Sequence, residues 1–513
     1  MLPKKYRQAF VLILIFQIIL LLSFVFLRLI DFDEGSYLSS AYLVRGGKLP
    51  YLDFFFPQMP YLPYVYALVS SYGLSSLYYG RLISAGAGIF LSILIFWFAY
   101  KLFKDTRLAL SLLFLYGFNG LVLSWHGVVK TLVFSNLFGF ISFIFFVFYL
   151  SSKEELLPKG DAPPLAGRAH LAVKLFWAGF FAGLAFNFRL TFFLILALEA
   201  VMIFVLPPYL SLKKRIIDAF WLFPGAILSS FLAIYLFFKN PEAFIFGNLG
   251  FHQLWGTGLL KMTFFEKLYT FSKFVFSPQN LFILILAAVS LIWLVKKLIK
   301  EGRLTLEDKI IIFALSISVV IIVTSFLMTP TEFQYYQQSL PYLLFSSVPP
   351  LSRLISKWKD KKLIWRGCAA FYLLSAAPFI VVFIFAIRPK DVPFRIDKTK
   401  EVVEVVKQNS SPKEKILSGW PGYVIFAQRE SVPGMETFGW AIVHLLSKEE
   451  IENFRLLDRQ KISEMILDQK VNMIIEDKWF LCDFEELIEP NYHLVGAFEF
   501  AKIYVKEKPK DQN

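Results

Sequence analysis

The feature that most constrains this chain is the distribution of its apolar residues. Many runs of about 17 to 23 residues carry no charged side chain, and each is long enough to cross the roughly 30 Å hydrocarbon layer of a membrane as a helix. Hydrophobic residues make up 57% of the 513 residues, a share well above that of soluble proteins. The pattern therefore predicts an integral membrane protein with many spans.

The length and hydropathy of these runs predict about eleven transmembrane helices. They lie near residues 10–30, 81–100, 108–125, 131–150, 174–188, 190–206, 216–238, 279–295, 310–328, 337–355 and 364–387. The first run follows a basic N-terminus, as a signal peptide does. It is too long for a typical signal core and lacks a small-residue cleavage site, so we expect it to remain as the first span.

Basic residues in the loops predict the orientation of these helices. Lys and Arg gather at the N-terminus and in loops 101–107, 153–174, 213–215, 296–303 and 353–366. All six segments fall on one side if 174–206 is divided at Asn187-Phe188-Arg189, and the positive-inside rule makes that side cytoplasmic. The opposite face then carries residues 31–80, 126–130, 239–278 and 329–336 and the tail. Because the net charge of +14 resides in such loops, it does not point to a nucleic-acid partner.

The tail changes to a mixed polar sequence, and we expect two domains, a membrane domain over 1–388 and a small α/β domain over 389–513 on the extracytoplasmic side. Its pattern predicts helices over 398–408 and 448–469. Strands are predicted over 415–418, 423–427 and 471–476, followed by a pair near 493–505.

An acidic motif follows the first span directly. Asp31-Phe32-Asp33-Glu34 stands at the predicted outer mouth of the bundle. Such acids can simply mark the water interface, or Asp33 can cap a helix over 34–44. Three acids in four residues exceed what a cap requires, so the motif is also a candidate catalytic site.

The order of motifs from this point resembles the GT-C class of lipid-phosphate-sugar-dependent glycosyltransferases. The resemblance is to the branch of the dolichyl-phosphate-mannose protein mannosyltransferases and the bacterial aminoarabinose transferases. The matching residues of the first outer loop are Asp33-Glu34, Tyr37, Ala41, Gly47, Pro50, Tyr51 and Asp53, followed by Gly80-Arg81. Further matches are Gly179, Gly183-Leu184-Ala185 and Arg189-Leu190-Thr191. The chain departs from the pattern at Glu332–Tyr336, where an Arg-Tyr or His-Tyr pair is expected.

This resemblance implies transfer of a sugar from a polyprenyl-phosphate donor by a single inverting displacement. Such a reaction needs a base for the acceptor hydroxyl and a cation for the departing phosphate. We assign the base to Asp33, with Glu34 as its neighbour or as an acceptor-orienting group. Arg189 is the phosphate candidate, because an Arg among phenylalanines costs about 2.5–3.5 kcal/mol at a helix centre unless it meets protein, water or an anion. The alternative is an Arg that snorkels to the interface.

Other candidates for substrate binding each have a structural alternative. Tyr37 and Asp53 match the family pattern, and Arg81 opens the second span. His126 and Lys130 occupy a short outer turn that can contact a phosphate or merely anchor the interface. The remaining candidates are His252 and Lys261 in the 239–278 loop and Tyr335 and Tyr336 at the start of a span, where loop packing and an aromatic belt are the alternatives.

Metal involvement is open at this stage. Asp33, Glu34 and Asp53 can supply oxygen ligands to a divalent cation, but three scattered acids do not define a site, and we expect a metal-free reaction. The expected partners are the membrane, a polyprenyl-phosphate-sugar donor and a lipid, glycan or protein acceptor. The main alternative function is a transporter or flippase of lipid-linked saccharides. A third is a receptor or assembly subunit, in which the turn at Trp420–Tyr423 is a carbohydrate contact or a hairpin.

Overall fold

The computed structural model describes residues 3–156, 165–206, 211–358, 361–385, 394–477 and 482–506. Within these ranges, seven helices are long and apolar enough to cross a membrane, which makes the chain a multi-pass membrane protein. They are Lys4–Leu27, Ser75–Phe103, Leu132–Glu154, Ala169–Phe188, Pro278–Glu301, Leu306–Leu327 and Lys362–Phe383.

The other four predicted spans correspond to bent or shorter helices. Two are helix pairs that bend by 61° and 66°, namely Thr106–Gly117 with Gly120–His126 and Leu212–Ser229 with Phe231–Lys239. The remaining two are the apolar segment Leu190–Val205 and the consecutive helices Leu340–Ser346 and Val348–Lys357. Each predicted span is thus helical, although periodicity alone did not reveal the bends.

The first bend is stabilised by side-chain amides. Asn119 caps Gly120–His126 by accepting hydrogen bonds from the backbone N–H groups of Leu121 and Val122. Its own amide donates to Asn280 Oδ1 at 2.8 Å, while Gln279 Oε1 accepts from the N–H of Gly120 at 2.7 Å. These amides replace the backbone partners that a continuous helix would have supplied, as burial in an apolar bundle requires.

Glycines permit one very close helix contact. A Cβ atom at Gly179 would collide with the carbonyl of Leu222, and one at Gly225 would collide with the carbonyl of Phe176. Helix Leu165–Phe188 therefore packs directly against the backbone of Leu222–Ser229. The glycine motif of the sequence has this structural explanation.

The predicted division of 174–206 is present. The helix ends at Phe188, and Arg189 adopts an extended conformation with φ −151° and ψ 115°. A single 3-10 turn, Leu190–Phe192, then leads into helix Phe193–Val205. Arg189 therefore lies at the junction of two helices rather than within one.

Three parts of the chain meet on one side of the bundle, which we call the loop face. The first comprises residues 28–74, with helices Phe32–Arg45 and Tyr61–Ala67. The second comprises Pro241–Ile245, Phe246–Gly250, Phe251–Leu254, Trp255–Leu259 and Phe264–Phe276, of which Phe246–Gly250 and Trp255–Leu259 are π-helical. The third is the C-terminal region from residue 394, and the 3-10 helix Phe333–Ser339 lies beside them.

The acidic motif begins helix Phe32–Arg45, but its cap is Asp31 and not Asp33. Asp31 accepts a hydrogen bond from the N–H of Asp33, and Glu34 reaches back to the N–H of Asp31. This is a capping box, whose signature is a cap residue followed three positions later by Glu. The helix therefore starts earlier than expected, and Asp33 is left available for other interactions.

The C-terminal region contains a five-stranded sheet of order β2-β1-β3-β5-β4. The strands are β1 Lys415–Ser418, β2 Glu430–Ser431, β3 Met473–Asp477, β4 His493–Ala497 and β5 Ala501–Val505. Strand β1 pairs in parallel with β2 and β3, whereas β5 pairs antiparallel with β3 and β4. The helical segments are Ile396–Gln408, Pro421–Phe426, Phe438–Leu445, Lys448–Asn453, Arg459–Leu467, Cys482–Phe484 and Glu485–Ile488.

Two predictions for this region were wrong. Residues 423–426 belong to helix Pro421–Phe426 and not to a strand, and Ala427 is its C-cap, because a fully buried apolar run has no periodicity that separates a helix from a strand. The single helix predicted over 448–469 is divided at residues 454–458, where Asp458 caps the second half. The predicted helix over 398–408 and strands over 415–418, 471–476 and 493–505 are confirmed within a few residues.

The C-terminal region is docked on the acidic motif through Trp420. The Trp420 side chain is fully buried, and its indole N–H donates to the carbonyl of Phe32 at 2.9 Å. A Cβ atom at Gly35 would lie 2.7 Å from the Trp420 ring and 2.8 Å from the Cα of Gly422. Trp420 therefore forms neither a hairpin nor an exposed carbohydrate contact, the two alternatives that the sequence suggested, but a contact between the C-terminal region and helix Phe32–Arg45.

Candidate functional site

A buried lysine organises the acidic motif. Lys130 Nζ lies 2.9 Å from Asp31 Oδ1 and 2.9 Å from Asp33 Oδ2, and it donates to Gln334 Oε1 at 3.2 Å. The Lys130 side chain is only 7% exposed, whereas the Asp33 side chain is 30% exposed. Lys130 therefore bridges the two carboxylates from their buried side. Asp33 is the member of the group that a ligand can reach.

The neighbouring carboxylate has a different environment. Glu34 is fully buried, and both of its oxygens accept hydrogen bonds from Arg81, at 2.8 and 2.6 Å. The N–H groups of Asp31 and Val129 donate to the same carboxylate at 2.8 and 3.0 Å. Asp33 and Glu34 are adjacent in sequence, but they lie in separate hydrogen-bond networks.

The pKa values of the two aspartates of the motif are shifted in opposite directions. Partial burial, with repulsion from Asp31 and Glu34, outweighs the attraction of Lys130 and raises the pKa of Asp33. Burial also opposes ionisation of Asp31, but Lys130 and Arg28 overcome it and the pKa of Asp31 is lowered. A raised pKa makes Asp33 the stronger proton acceptor of the two.

Arg189 lies close to this group. Its guanidinium carbon is 4.2 Å from the centre of the Tyr335 ring, and its Nε makes no hydrogen bond to the described residues. The charges of Arg189 and Asp33 both act on the hydroxyls of Tyr335 and Tyr37. A carboxylate and a guanidinium thus influence the same two tyrosine hydroxyls.

A cavity of about 440 Å³ adjoins Arg189 and Tyr335. His252 also lines it, with Nε2 placed 2.8 Å from the carbonyl of Pro57. Burial lowers the pKa of His252 to about 4, and the nearby charge of Arg189 acts in the same direction. The imidazole is therefore neutral near pH 7, and Nε2 carries the proton that the carbonyl accepts.

Four other candidates lie apart from this arrangement. His126 is fully buried inside the bundle, where it contacts Tyr116 and the backbone at Gly88. Tyr336 packs inward on Phe274 with ring centres 5.0 Å apart. Asp53 is exposed and accepts from the N–H of Leu49 at 2.7 Å, which closes a local turn, and Lys261 is exposed beyond helix Trp255–Leu259.

Arg81 belongs to the support of the site. Besides Glu34, its guanidinium donates to the carbonyls of Val25, Arg28 and Leu29, each at 3.0 Å. It therefore ties the end of the first transmembrane helix to the start of helix Phe32–Arg45. The side chain is fully buried and has no surface open to a substrate.

Three further residues contribute to the site and were not predicted from the sequence. Arg28 attracts Asp31, and its guanidinium lies 4.5 Å from the Trp125 ring and 4.7 Å from the Phe383 ring. Gln334 binds Lys130, and the exposed carboxylate of Glu332 interacts electrostatically with it. The Asp31-x-x-Glu34 spacing carried the signal of a capping box, whereas the contacts of Gln334 and Glu332 with Lys130 join distant segments and have no local signature.

The three acids proposed as metal ligands do not converge. Asp33 is bound by Lys130, Glu34 by Arg81, and Asp53 by the backbone of its own turn. Among the residues that the structure describes, no group of three or more His, Cys, Asp or Glu side chains is arranged to hold a metal ion. The ammonium of Lys130 already occupies the position between Asp31 and Asp33.

Comparison with known proteins places this arrangement in a structural context. No protein-family profile and no curated protein sequence matches the chain. Among solved structures, ArnT from Cupriavidus metallidurans bound to undecaprenyl phosphate superposes with a TM-score of 0.65 at 14% identity, covering 96% of this chain and 97% of that one. The Archaeoglobus fulgidus oligosaccharyltransferase in complex with Zn and sulfate gives 0.55 at 14% identity, with 95% and 72% covered.

A second archaeal structure agrees. AglB from Archaeoglobus fulgidus in complex with an inhibitory peptide and a dolichol-phosphate gives a TM-score of 0.52 at 12% identity, covering 91% of this chain and 69% of that one. The likeness to ArnT extends over nearly the whole length of both chains, including the C-terminal region. The chain therefore has the GT-C fold that its sequence motifs predict.

Proposed function

We propose that this chain is a membrane glycosyltransferase that moves a sugar from a polyprenyl-phosphate donor to an acceptor at the loop face. The observation that carries the proposal is that the charges of Asp33 and Arg189 both act on Tyr37 and Tyr335, and that Arg189 stacks on the second of these rings. A base and a phosphate-binding cation are the two groups that such a transfer requires.

Asp33 is the proposed general base. Lys130 binds Oδ2 of Asp33, so Oδ1 remains available to accept the proton of an acceptor hydroxyl. The acceptor oxygen then forms a bond to C1 of the sugar as the bond from C1 to the phosphate oxygen breaks. The carrier phosphate leaves with that electron pair, and attack from the opposite side inverts the configuration at C1.

Arg189 is the proposed partner of the carrier phosphate. Its Nε has no hydrogen-bond partner among the residues that the structure describes, and stacking on Tyr335 holds the planar guanidinium in place. A charge-assisted hydrogen bond from Arg to a phosphate oxygen strengthens as negative charge develops on the leaving group. The break between helices Leu165–Phe188 and Phe193–Val205 supports this role, since it frees Arg189 from the interior of a span.

The same geometry favours a reaction without a divalent cation. Lys130 lies between Asp31 and Asp33, where it supplies the positive charge that a metal would otherwise bring. Glu34 is proposed to position the start of helix Phe32–Arg45 through Arg81 rather than to orient the acceptor.

The proposed carrier class draws on the fold relatives. ArnT was solved with undecaprenyl phosphate and AglB with a dolichol-phosphate, and both ligands are polyprenyl-type phosphates. For this chain we propose the same carrier class, with the loop face extracytoplasmic and the N-terminus cytoplasmic in accordance with the positive-inside rule. The acceptor is a lipid, a glycan or a protein.

The test is sugar transfer from a polyprenyl-phosphate donor by the purified full chain and by Asp33→Asn, with carrier binding measured in both. We expect Asp33→Asn to lose at least about a hundredfold in kcat, in line with the usual effect of removing a general base, and to retain carrier binding. Arg189→Gln should instead weaken carrier binding.

Asp458→Asn is the matched control. Asp458 caps a helix in the C-terminal region, and Asn serves equally well as a cap, so transfer should be unchanged. Full transfer by Asp33→Asn would remove Asp33 from the mechanism. Absence of transfer by the wild type with every donor would instead favour the transporter of lipid-linked saccharides.

A further inference from the structure

A second cavity, of about 450 Å³, lies between helix Phe32–Arg45 and the C-terminal region. One wall consists of residues from within 39–48, and the other of residues from within 415–436. Among the described residues, none lines both this second cavity and the cavity beside Arg189. Its volume is within the range of small-molecule sites.

The second cavity lies on the face of the helix that is turned toward the C-terminal region. Gly35, Ser39 and Tyr42 follow the i, i+4, i+7 spacing of a single helical face. Ser39 and Tyr42 line the cavity, and Gly35 abuts the Trp420 ring. Ser39 stands a rise of about 9 Å along the helix beyond Asp33. The cavity is therefore separate from the candidate reaction site, although one rigid helix joins the two.

Positive charge predominates in the lining of the second cavity. Its charged residues are Arg45, Lys48, Lys415, Arg429, Glu430 and Glu436. Four of these side chains are cationic and two are acidic, which leaves an excess of two positive charges when all are ionised. A concave site lined mainly by one sign of charge attracts ligands of the opposite sign, so this cavity favours an anion.

Two of the cations are available to a ligand. Lys48 and Lys415 are exposed, and neither ammonium makes a hydrogen bond or a close ion pair within the part of the chain that the structure describes. The charges of both act on the carboxylate of Glu436. The two lysines therefore lie around the same part of the cavity, although they come from its two different walls.

The two arginines of the lining have other contacts. The Arg429 guanidinium is 8% exposed and donates to the hydroxyl of Ser410 and to the carbonyls of Lys407 and Ser410. Arg45 is exposed at the end of its helix, where Nη1 donates to the carbonyl of Ala67 at 3.2 Å. Arg429 thus contributes a fixed charge to the cavity, whereas the lysines can supply new hydrogen bonds.

A buried carboxylate opposes the binding of an anion in this cavity. Glu436 is 4% exposed, and its Oε2 accepts from the N–H of Gly434 at 2.7 Å. Burial raises the pKa of Glu436 to about 7, although the charges of Lys48 and Lys415 act in the opposite direction. Glu436 therefore loses its negative charge as the pH falls through about 7, and the excess of positive charge in the cavity then increases.

We propose that the second cavity binds a small phosphate-bearing ligand, whose phosphate pairs with Lys48 and Lys415. The inference is independent of the proposed transfer function. A phosphate monoester carries a charge of about −1.5 to −2 near pH 7, which matches the excess of two positive charges in the lining. Lys48 follows helix Phe32–Arg45 and Lys415 begins strand β1, so the bound phosphate connects the helix that carries Asp33 to the C-terminal region.

The test is equilibrium binding of a hexose 6-phosphate to the full chain in phosphatidylcholine nanodiscs, with the hexose itself as the uncharged comparison. Lys48→Gln/Lys415→Gln should weaken binding of the phosphate by at least about tenfold, because it removes both charge-assisted contacts. Lys461→Gln/Lys470→Gln is the charge-matched control on exposed lysines outside the cavity and should bind as the wild type does. Equal binding by wild type and Lys48→Gln/Lys415→Gln, or equal binding of hexose and hexose 6-phosphate, overturns the inference.

Glu436→Gln provides a test in the opposite direction. The amide oxygen can still accept from Gly434, but the negative charge is gone, so binding at pH 8 should strengthen by about threefold. The gain should be smaller at pH 6, where Glu436 of the wild type is already mostly protonated. Because the ligand has the same charge in both proteins at each pH, its own titration cancels. Unchanged or weaker binding by Glu436→Gln at pH 8 contradicts the charge argument.

Two further measurements identify the site and the source of the phosphate. Arg189→Gln should bind hexose 6-phosphate as the wild type does, and loss of binding in this variant would assign the phosphate to the proposed carrier site and overturn the inference. Phosphatidylglycerol is then added to the nanodiscs. Competition that requires Lys48 and Lys415 identifies a lipid headgroup as the phosphate source, whereas absence of competition identifies a soluble phosphate. Each measurement is made without sugar transfer, so its outcome does not depend on the proposed function.

Discussion

Replacement of Arg81 by Met should strongly destabilise the folded protein without touching the substrate. Arg81 is fully buried and donates to both oxygens of Glu34 and to three carbonyls at the end of the first transmembrane helix. In Arg81→Met the Glu34 carboxylate stays buried with only two backbone N–H partners. Removing one member of a buried ion pair costs about 3–5 kcal/mol, because the other charge remains uncompensated.

The partner substitution gives a second estimate of the same interaction. Glu34→Gln leaves the Arg81 guanidinium buried without its counter-charge and should also cost about 3–5 kcal/mol. The double variant Arg81→Met/Glu34→Gln should be less destabilised than the sum of the two single variants, because it leaves no buried charge unpaired. The expected coupling between the two sites is therefore at least about 1 kcal/mol in favour of the pair.

The assay is equilibrium unfolding in mixed micelles, in which the free energy of unfolding is followed as the SDS fraction is raised. Asp458→Asn again serves as a control that should change this free energy by less than about 0.5 kcal/mol. If both single variants fall within that margin, then Arg81 and Glu34 do not hold the acidic motif, and a direct role of Glu34 in substrate binding would have to be reconsidered.

Three further predictions concern the site and its support. Trp420→Phe removes the N–H that donates to the carbonyl of Phe32. Loss of this hydrogen bond, worth about 0.5–1.5 kcal/mol, should lower kcat about two- to tenfold without changing the KM for the donor. Tyr492→Phe, which loses a comparable bond within the C-terminal core, should leave kcat unchanged. Burial lowers the pKa of His252 from 6.5 to about 4. As the pH falls, the imidazole is therefore protonated in the unfolded chain before it is protonated in the folded one. The free energy of unfolding should fall as the pH drops from about 6.5 to about 4. The difference in unfolding free energy between wild type and His252→Asn should vary over that interval and be constant above it. EDTA should leave transfer unchanged, since the ammonium of Lys130 already lies between the two aspartates, and loss of transfer that Mg²⁺ or Mn²⁺ restores would contradict this.

The placement of Lys130 also bears on how the first loop tolerates its acids. Three carboxylates in four residues would repel one another, yet each has a cationic partner: Asp31 and Asp33 share Lys130, and Glu34 is paired with Arg81. The exposed fraction falls from 30% at Asp33 to 15% at Asp31 and 0% at Glu34. Three acids within four residues thus range from partly exposed to fully buried.

The sequence by itself determined the membrane class, the position of the spans and the break at Arg189. These features depend on hydrophobic length and on the cost of a charge within a span, which neighbouring residues suffice to define. It also located the acidic motif and most elements of the C-terminal sheet. It did not identify helix Pro421–Phe426, because burial on every side removes the alternation that marks a half-buried strand.

The tertiary structure alone decided which side chains act together. Lys130 reaches the acidic motif from the turn before helix Leu132–Leu156, and Trp420 reaches Phe32 across 388 positions of the chain. Neither contact is local, so no periodicity or spacing in the sequence encodes it. The same holds for the separation of Asp33 from Glu34: successive helical residues point in different directions, and only the packing around them determines which carboxylate meets Arg81 and which remains open to a substrate.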